Sequence, residues 1–103
     1  MIKVVIADDI PVLRSGLKAV LSQDTDIKVV GEASNGQEAF ELCIRQHPDV
    51  VLMDMRMPDH DGGYGTRKIK DNFKDIKVLV LTTFDDKETV NRAVSCSADG
   101  YIL

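Results

Sequence analysis

Three apolar runs of this chain end on oxygen-bearing side chains. Ile2 to Ala7 ends on Asp8-Asp9, Val50 to Met53 ends on Asp54, and Val78 to Leu81 ends on Thr82-Thr83. If the three runs are parallel neighbours in a sheet, the acids and hydroxyls converge on one rim. Carboxylates crowded together repel one another and raise one another's proton affinity unless a cation intervenes. No His or Cys lies beside them, so ligation would be all-oxygen, and Mg²⁺ suits a site of a few carboxylates plus waters and a phosphate. Such a site can neutralise an incoming phosphoryl group while a carboxylate attacks it in line.

The elements that must position these groups can be read in order. Val4-Val5-Ile6-Ala7 is continuously apolar, the pattern of a strand buried on both faces. Pro11 suits the first turn of a helix, where its missing N–H has no intrahelical partner anyway. Leu13, Leu17, Val20 and Leu21 then draw one apolar stripe. Ile27 to Val30 with Gly31 reads as a shorter strand at an edge. Asn35 with Glu38 resembles a capping pair, and Ala39, Phe40, Cys43 and Ile44 continue as a helix face that stops at His47-Pro48.

After the strand from Val50 to Asp54 comes a loop carrying Pro58, Asp59, Asp61, Gly62 and Gly63. A helix through Thr66, Ile69 and Phe73 follows, weakened by its glycines. Ile76 to Thr82 is a fourth strand. Asp85 with Glu88 forms another capping pair, Val90, Ala93 and Val94 line the next helix, and Gly100 to Leu103 begins a fifth strand.

Strand and helix patterns alternate throughout with short connections, which predicts a doubly wound α/β fold with a five-stranded parallel sheet. Right-handed crossovers favour the order 2-1-3-4-5. The first and third strands are then neighbours, and their carboxyl ends flank the switch point where ligands bind in open α/β sheets. Asp8, Asp9 and Asp54 fall at those ends.

Bulk properties narrow the field. The 103 residues, 44% hydrophobic, suffice for one domain spanning 1-103, and a net charge of −4 supplies no basic footprint for nucleic acid. No apolar run approaches the roughly 18 to 20 residues needed to cross a bilayer, and the N-terminus lacks a secretory pattern, so no membrane role and a cytoplasmic location are expected. Cys43 and Cys96 show neither metal nor redox spacing and read as reduced, helix-borne, partly buried thiols. His47 and His60 have no partner cluster for a metal. Met53, Met55 and Met57 read as packing, and Asp59 and Asp61 as loop acids.

Asp8-Asp9 after strand one, Asp54 within "VVLMDMRMP", the "DGG" turn, Thr82 after strand four and "GY" in strand five occur together in fixed order. This set resembles a response-regulator receiver domain of the CheY-like kind. The wording "ADDIPVLRSGLKAVL", "IKVVGEASNGQEAFEL" and "KVLVLTTFDD" is similar to the NarL/FixJ subfamily, whose members carry a DNA-binding domain after the receiver. The resemblance covers Ile2 to Leu103.

What the resemblance implies is a two-component switch rather than an enzyme, with at most slow self-phosphorylation and self-dephosphorylation. Asp54 would accept a phosphoryl group from a sensor histidine kinase in a Mg²⁺-dependent reaction. Asp9 would ligate Mg²⁺ directly, Asp8 mainly through water, and the backbone carbonyl of Arg56 would complete the set with Asp54. Thr82 and Thr83 would contact the phosphoryl oxygens, and Tyr101 would be the aromatic whose rotation reports the change.

Two departures accompany the resemblance. Ile10 stands where relatives often carry a histidine or another polar residue. The family's lysine is expected two residues after Ile102, beyond Leu103, together with a last helix. The chain is therefore expected to be a truncated piece of a longer regulator, with apolar side chains of strands three to five bare on one face and self-association as the means of covering them.

Other functions fit less well. An aspartyl phosphohydrolase usually places its nucleophile after the first strand with a second acid two residues on, whereas Asp8 and Asp9 are adjacent and the isolated acid follows strand three. A flavin mononucleotide carrier would need a Ser/Thr/Gly-rich phosphate loop where this chain has Asp-Asp-Ile-Pro. A receiver-like interaction module operated without phosphorylation is the remaining alternative.

Overall fold

The computed structural model describes residues 1–81, 91 and 97–102. Thr82, Thr83, the Asp85/Glu88 pair, the helix face through Val90, Ala93 and Val94, Cys96 and Leu103 lie outside the described residues.

The described elements are β1 (Ile2–Ala7), α1 (Pro11–Leu21), β2 (Ile27–Ala33), α2 (Gly36–Gln46), β3 (Val50–Asp54), α3 (Gly62–Asn72), β4 (Lys77–Leu81) and β5 (Gly100–Ile102). The strands form one five-stranded sheet in the order β2-β1-β3-β4-β5, and every neighbouring pair is parallel. The predicted order and strand direction are both found.

Alternation along the strands sorts the core into two layers. Val5, Ala7, Val51, Met53, Val78 and Val80 are fully buried beneath Ala39, Leu42 and Cys43 of α2 and Ile69 of α3. Met55 and Met57 join the same cluster, so the methionines serve packing as expected. Phe40 and Phe73 close it, their ring centroids 6.3 Å apart. The Cys43 thiol is free and fully rather than partly buried, because it faces the sheet from the middle of α2, and burial pushes its pKa up to about 12, which keeps it protonated and unreactive at neutral pH.

The other layer is thinner. Val4, Ile6 and Leu52 are buried, while Leu79 and Leu81 of β4 and Leu17 and Leu21 of α1 are only partly so. The stripe predicted on α1 is thus half used. Leu17 and Leu21 reach the sheet, but Leu13 remains 46% and Val20 64% exposed, and α1 contains no fully buried residue. Among the described residues α1 is the one helix on this side.

Three local features differ from the sequence expectation. β2 is an edge strand as predicted but runs on to Ala33, with a register shift opposite Val4/Val5 that lets Gly31 pass beneath Leu42. A Cβ on Gly31 would sit 2.9 Å from Leu42 Cδ2. α3 begins at Gly62, inside the glycine run, and Asp61 is its cap rather than a plain loop acid: its side chain accepts from the Tyr64 N–H at 2.9 Å. Helix propensity is overridden there by close packing.

The cap of α2 follows expectation. Asn35 Oδ1 accepts from the Glu38 N–H at 2.9 Å, and the Glu38 carboxylate accepts from the N–H and hydroxyl of Ser34. Those bonds to Ser34 hold the Glu38 carboxyl below its ordinary pKa. The helix closes on His47 in the left-handed conformation at φ 45°, directly before Pro48.

Candidate functional site

β1 and β3 are hydrogen-bonded neighbours, with Ala7 paired to Met53. The next residue on each strand is therefore an acid at the same level, Asp8 beside Asp54. The Asp8 N–H donates to the Ala33 carbonyl at 3.0 Å, which carries the β1–β2 pairing one step beyond the strand.

Both acid-bearing turns use the same local device. The Ile10 N–H donates to Asp8 Oδ1 at 2.9 Å, and the Arg56 N–H donates to Asp54 Oδ1 at 3.1 Å. An aspartate that accepts an N–H two residues on closes a turn with its own side chain, so each carboxylate is oriented by the chain that follows it. Pro11 then starts α1 with its φ already suited to a helix.

Glycines supply the backing of the second turn. A Cβ on Gly62 would fall on the Asp54 carbonyl and lie 2.7 Å from Met55 Cα. The Gly62 N–H donates to the Met55 carbonyl at 3.3 Å, and the Gly36 N–H at the start of α2 donates to the His60 carbonyl. A Cβ on Gly65 would approach Gly36 Cα to 2.8 Å. The loop after β3 is thereby clamped between Asp54 and the first turn of α2, which only residues without a side chain permit.

The outcome is one acidic group assembled from two strands. Asp8, Asp9 and Asp54 each present a carboxylate oxygen within 4.8 Å of the others, and no other such group of potential metal ligands occurs among the described residues. Asp8 is buried, whereas Asp9 and Asp54 are half-buried. Burial raises the pKa of Asp54, the negative charges of Asp8 and Asp9 raise it further, and the Arg56 N–H opposes them. The donor set is hard oxygen throughout and gathers three carboxylates, which is the chemistry of a divalent cation site.

A cavity of about 410 Å³ adjoins the acids. Ile10, Leu13 and Leu17 form its α1 wall, Leu81 lies across from them, and Arg56 stands at the side of Asp54. The site therefore opens on the thinly covered face of the sheet.

The remaining predicted residues are distributed as follows. β4 pairs Leu81 with Asp54, and Thr82 and Thr83 are the next residues in sequence, outside the described part. Tyr101 lies on β5 opposite Val80 and is 49% exposed. Arg56 is exposed in the turn after β3, with its N–H on Asp54. His47 pairs with Asp75, and His60 packs against the Tyr64 ring, so neither joins the acids.

Sequence reasoning passed over two contributors. Arg14 Nη1 donates to the Asp8 carbonyl at 2.6 Å, a contact between residues on different elements that no motif announces. The clamp by Gly36, Gly62 and Gly65 was signalled only by the glycine run itself.

Comparison with known proteins agrees with the geometry. Residues 4–103 match the response regulator receiver domain family. The chain is 44% identical over 103 residues to the transcriptional regulatory protein LnrK of Bacillus subtilis, and 41% identical over 102 residues to the oxygen regulatory protein NreC of Staphylococcus epidermidis. These alignments cover 100% and 98% of this chain but 47% of each relative, so the chain spans about half the length of the curated relatives it matches.

Solved structures align as well. A DNA-binding response regulator of the LuxR family from Staphylococcus aureus superposes with a TM-score of 0.92 at 28% identity, covering 100% of this chain and 86% of that one. The response regulator domain of Thermotoga maritima CheB superposes with a TM-score of 0.90 at 30% identity, covering 99% and 77%. With its sheet order, its paired acid turns and a family match over nearly its whole length, the chain belongs to the response regulator receiver domain family.

Proposed function

We propose that the protein is a phosphorylation-operated signalling switch in which Asp54 is the phospho-acceptor. The observation that carries this reading is the convergence of Asp8, Asp9 and Asp54, from adjacent strands, within 4.8 Å of one another. Asp9, Asp54, the Arg56 carbonyl and, through water, Asp8 would hold Mg²⁺. Bound there, the ion would supply charge neutralisation for the phosphoryl oxygens.

The chain's own residues account for the rest. The Asp54 carboxylate attacks the phosphorus of a phosphohistidine on a sensor kinase; the new O–P bond forms as the P–N bond breaks, and the electron pair leaves with the imidazole. The Arg56 N–H on Oδ1 fixes the direction of the attacking carboxylate. Thr82 and Thr83 would contact the phosphoryl group, and half-exposed Tyr101 on β5 would report the change at the surface.

The output would be regulation of transcription through a DNA-binding domain, as the transcriptional regulatory protein LnrK and the DNA-binding response regulator from Staphylococcus aureus suggest, with the cytoplasm as the location. No helix among the described residues is long and apolar enough to cross a membrane. Self-association over the face of β3 to β5 that carries Leu52, Leu79, Leu81 and Ile102 is supported by the half-exposure of Ile102 and the part-burial of Leu79 and Leu81, although Leu52 is buried; a monodisperse monomer by sedimentation at high concentration would count against it.

The direct test is incubation with acetyl phosphate or phosphoramidate, with and without Mg²⁺, followed by intact mass. Addition of one phosphoryl group that requires Mg²⁺ and is lost in Asp54→Ala supports the proposal. Modification that persists in Asp54→Ala contradicts it.

A further inference from the structure

We propose that Arg14 is a positioning residue for the cation site, holding the main chain of Asp8 so that the Asp8-Asp9 pair faces Asp54. The inference rests on the site reading above and concerns how that site is kept in shape. Arg14 lies on α1, and its own N–H donates to the Ile10 carbonyl, so the helix fixes where the side chain starts.

From there Nη1 reaches back to the Asp8 carbonyl at 2.6 Å, while Nε lies 3.6 Å from Glu32 Oε1 on β2. The guanidinium thus ties the end of β1 to the first helix through a hydrogen bond, and faces the edge strand as an ion pair in which the buried Nε donates no hydrogen bond among the described residues. Its side chain is only 20% exposed, which favours one arrangement over many.

With this contact both polar groups of the Asp8 backbone and one oxygen of its side chain are engaged. Its N–H goes to Ala33, its carbonyl to Arg14, and Oδ1 accepts from Ile10. The first of these bonds fixes height along the sheet and the third fixes the side chain. The Arg14 bond acts directly on the peptide that joins Asp8 to Asp9 and adds to the turn closed by Ile10; rotation of that peptide would swing the Asp9 carboxylate away from Asp54.

A planar guanidinium aims its N–H donors in fixed directions, so Nη1 stays on the Asp8 carbonyl, whereas a lysine ammonium at the same place is a mobile point charge. Lys18 also approaches Glu32, at 3.6 Å, but is half exposed and touches nothing at the acids.

Charge and tether make opposite predictions. As a mere cation near the carboxylates, Arg14 would weaken metal binding, and its loss would tighten it. As a tether its loss would weaken binding, on the order of the tenfold or more typical for residues that orient metal ligands.

The test is Mg²⁺ affinity by calorimetry, with amide hydrogen exchange at Asp9 and Ile10 as a second readout, for the unsubstituted protein, R14A, R14K, E32Q and K18A. The tether predicts weaker Mg²⁺ binding and faster exchange at Ile10 in both R14A and R14K, a smaller loss in E32Q, and no change in K18A.

Unchanged or tighter Mg²⁺ binding in R14A overturns the inference, as does full affinity in R14K. Should R14A fail to fold, R14K and E32Q still decide. Absence of Mg²⁺ binding in the unsubstituted protein, or binding that survives Asp9→Ala, overturns the site reading itself and this inference with it.

Discussion

At the edge where the strands begin, Asp49, Asp75 and Asp99 each meet a donor; at the edge where they end, Asp8, Asp9 and Asp54 turn toward one another. Asp49 accepts from the Lys3 N–H at 2.8 Å, and Asp75 lies 2.8 Å from His47 Nε2. Asp99 accepts from the Val78 N–H at 2.9 Å and pairs with Lys70 Nζ at 3.0 Å. Lys70 also donates to the Ile76 carbonyl, which ties α3 to the lower end of β4.

The pKa directions separate the two edges. The His47 hydrogen bond holds the Asp75 carboxyl below its ordinary value. Burial opposes ionisation of Asp99, but the Val78 N–H and Lys70 outweigh it, and the net direction is again down. Burial and two neighbouring acids move Asp54 the other way. One edge uses its acids to hold the fold together, and the other keeps like charges close at a cost that a cation would remove.

Four measurements test the difference between the two edges. The largest concerns Mg²⁺ itself. At about 100 times its dissociation constant, a ligand specific to the native state stabilises it by roughly 2.7 kcal/mol, and Mg²⁺ should do so here in thermal unfolding. Asp9→Ala should abolish the gain, and Asp8→Ala should diminish it less, because Asp8 is buried and already accepts from Ile10. Asp99→Asn should leave the gain intact. Equal losses for the two site variants would undo the assigned division of labour.

Next in size, Asp99→Asn should destabilise the protein at neutral pH by about 1 kcal/mol, the scale of a partly exposed ion pair with one charge-assisted hydrogen bond. Because the folded pKa of Asp99 is lowered, its contribution is present above the unfolded carboxylate pKa and is lost as pH falls through the folded value. The gap between variant and parent should therefore close in acid.

Asp54→Asn should have the opposite sign without Mg²⁺. A raised folded pKa means that ionised Asp54 disfavours the native state once pH rises through that value. The variant should be more stable than the parent at neutral pH, by less than about 1 kcal/mol given the screening of a half-exposed group. The difference should vanish in acid, and a destabilised Asp54→Asn protein at neutral pH would show that the site edge stores no such repulsion. Smallest of all, Asp75→Asn at the exposed His47 pair should leave the unfolding midpoint nearly unmoved in chemical denaturation.

The site edge of this contrast was legible in the sequence, for a physical reason, whereas the opposite edge with Asp49, Asp75 and Asp99 was not. A strand buried on both faces must be apolar throughout, so the acids that end β1 and β3 stand out against Val4–Ala7 and Val50–Met53. Topology then brought them together without any knowledge of side-chain positions.

What was not legible depended on contacts between distant segments. Gly31 and Glu32 interrupt the apolar pattern of β2, yet the strand continues because Gly31 fits beneath Leu42. The glycines that argued against α3 are the residues its first turn requires against Asp54 and Gly36. Leu13 and Val20 obey helical spacing but remain exposed, since periodicity marks a face without saying what covers it. Nothing in the spacing around Arg14 marks it as a partner of the Asp8 carbonyl, a contact set by how α1 packs on the end of β1.

The central claim is that the turns after β1 and β3 form a single cation site. Titration of the isotopically labelled protein with trace Mn²⁺, followed by amide NMR, tests it most directly. The account predicts paramagnetic broadening centred on residues 8–10 and 54–56, displaced by Mg²⁺ and absent in Asp9→Ala. Broadening centred instead on Asp24 and Asp26, on Asp59 and Asp61, or on the Asp75 and Asp99 edge would contradict it.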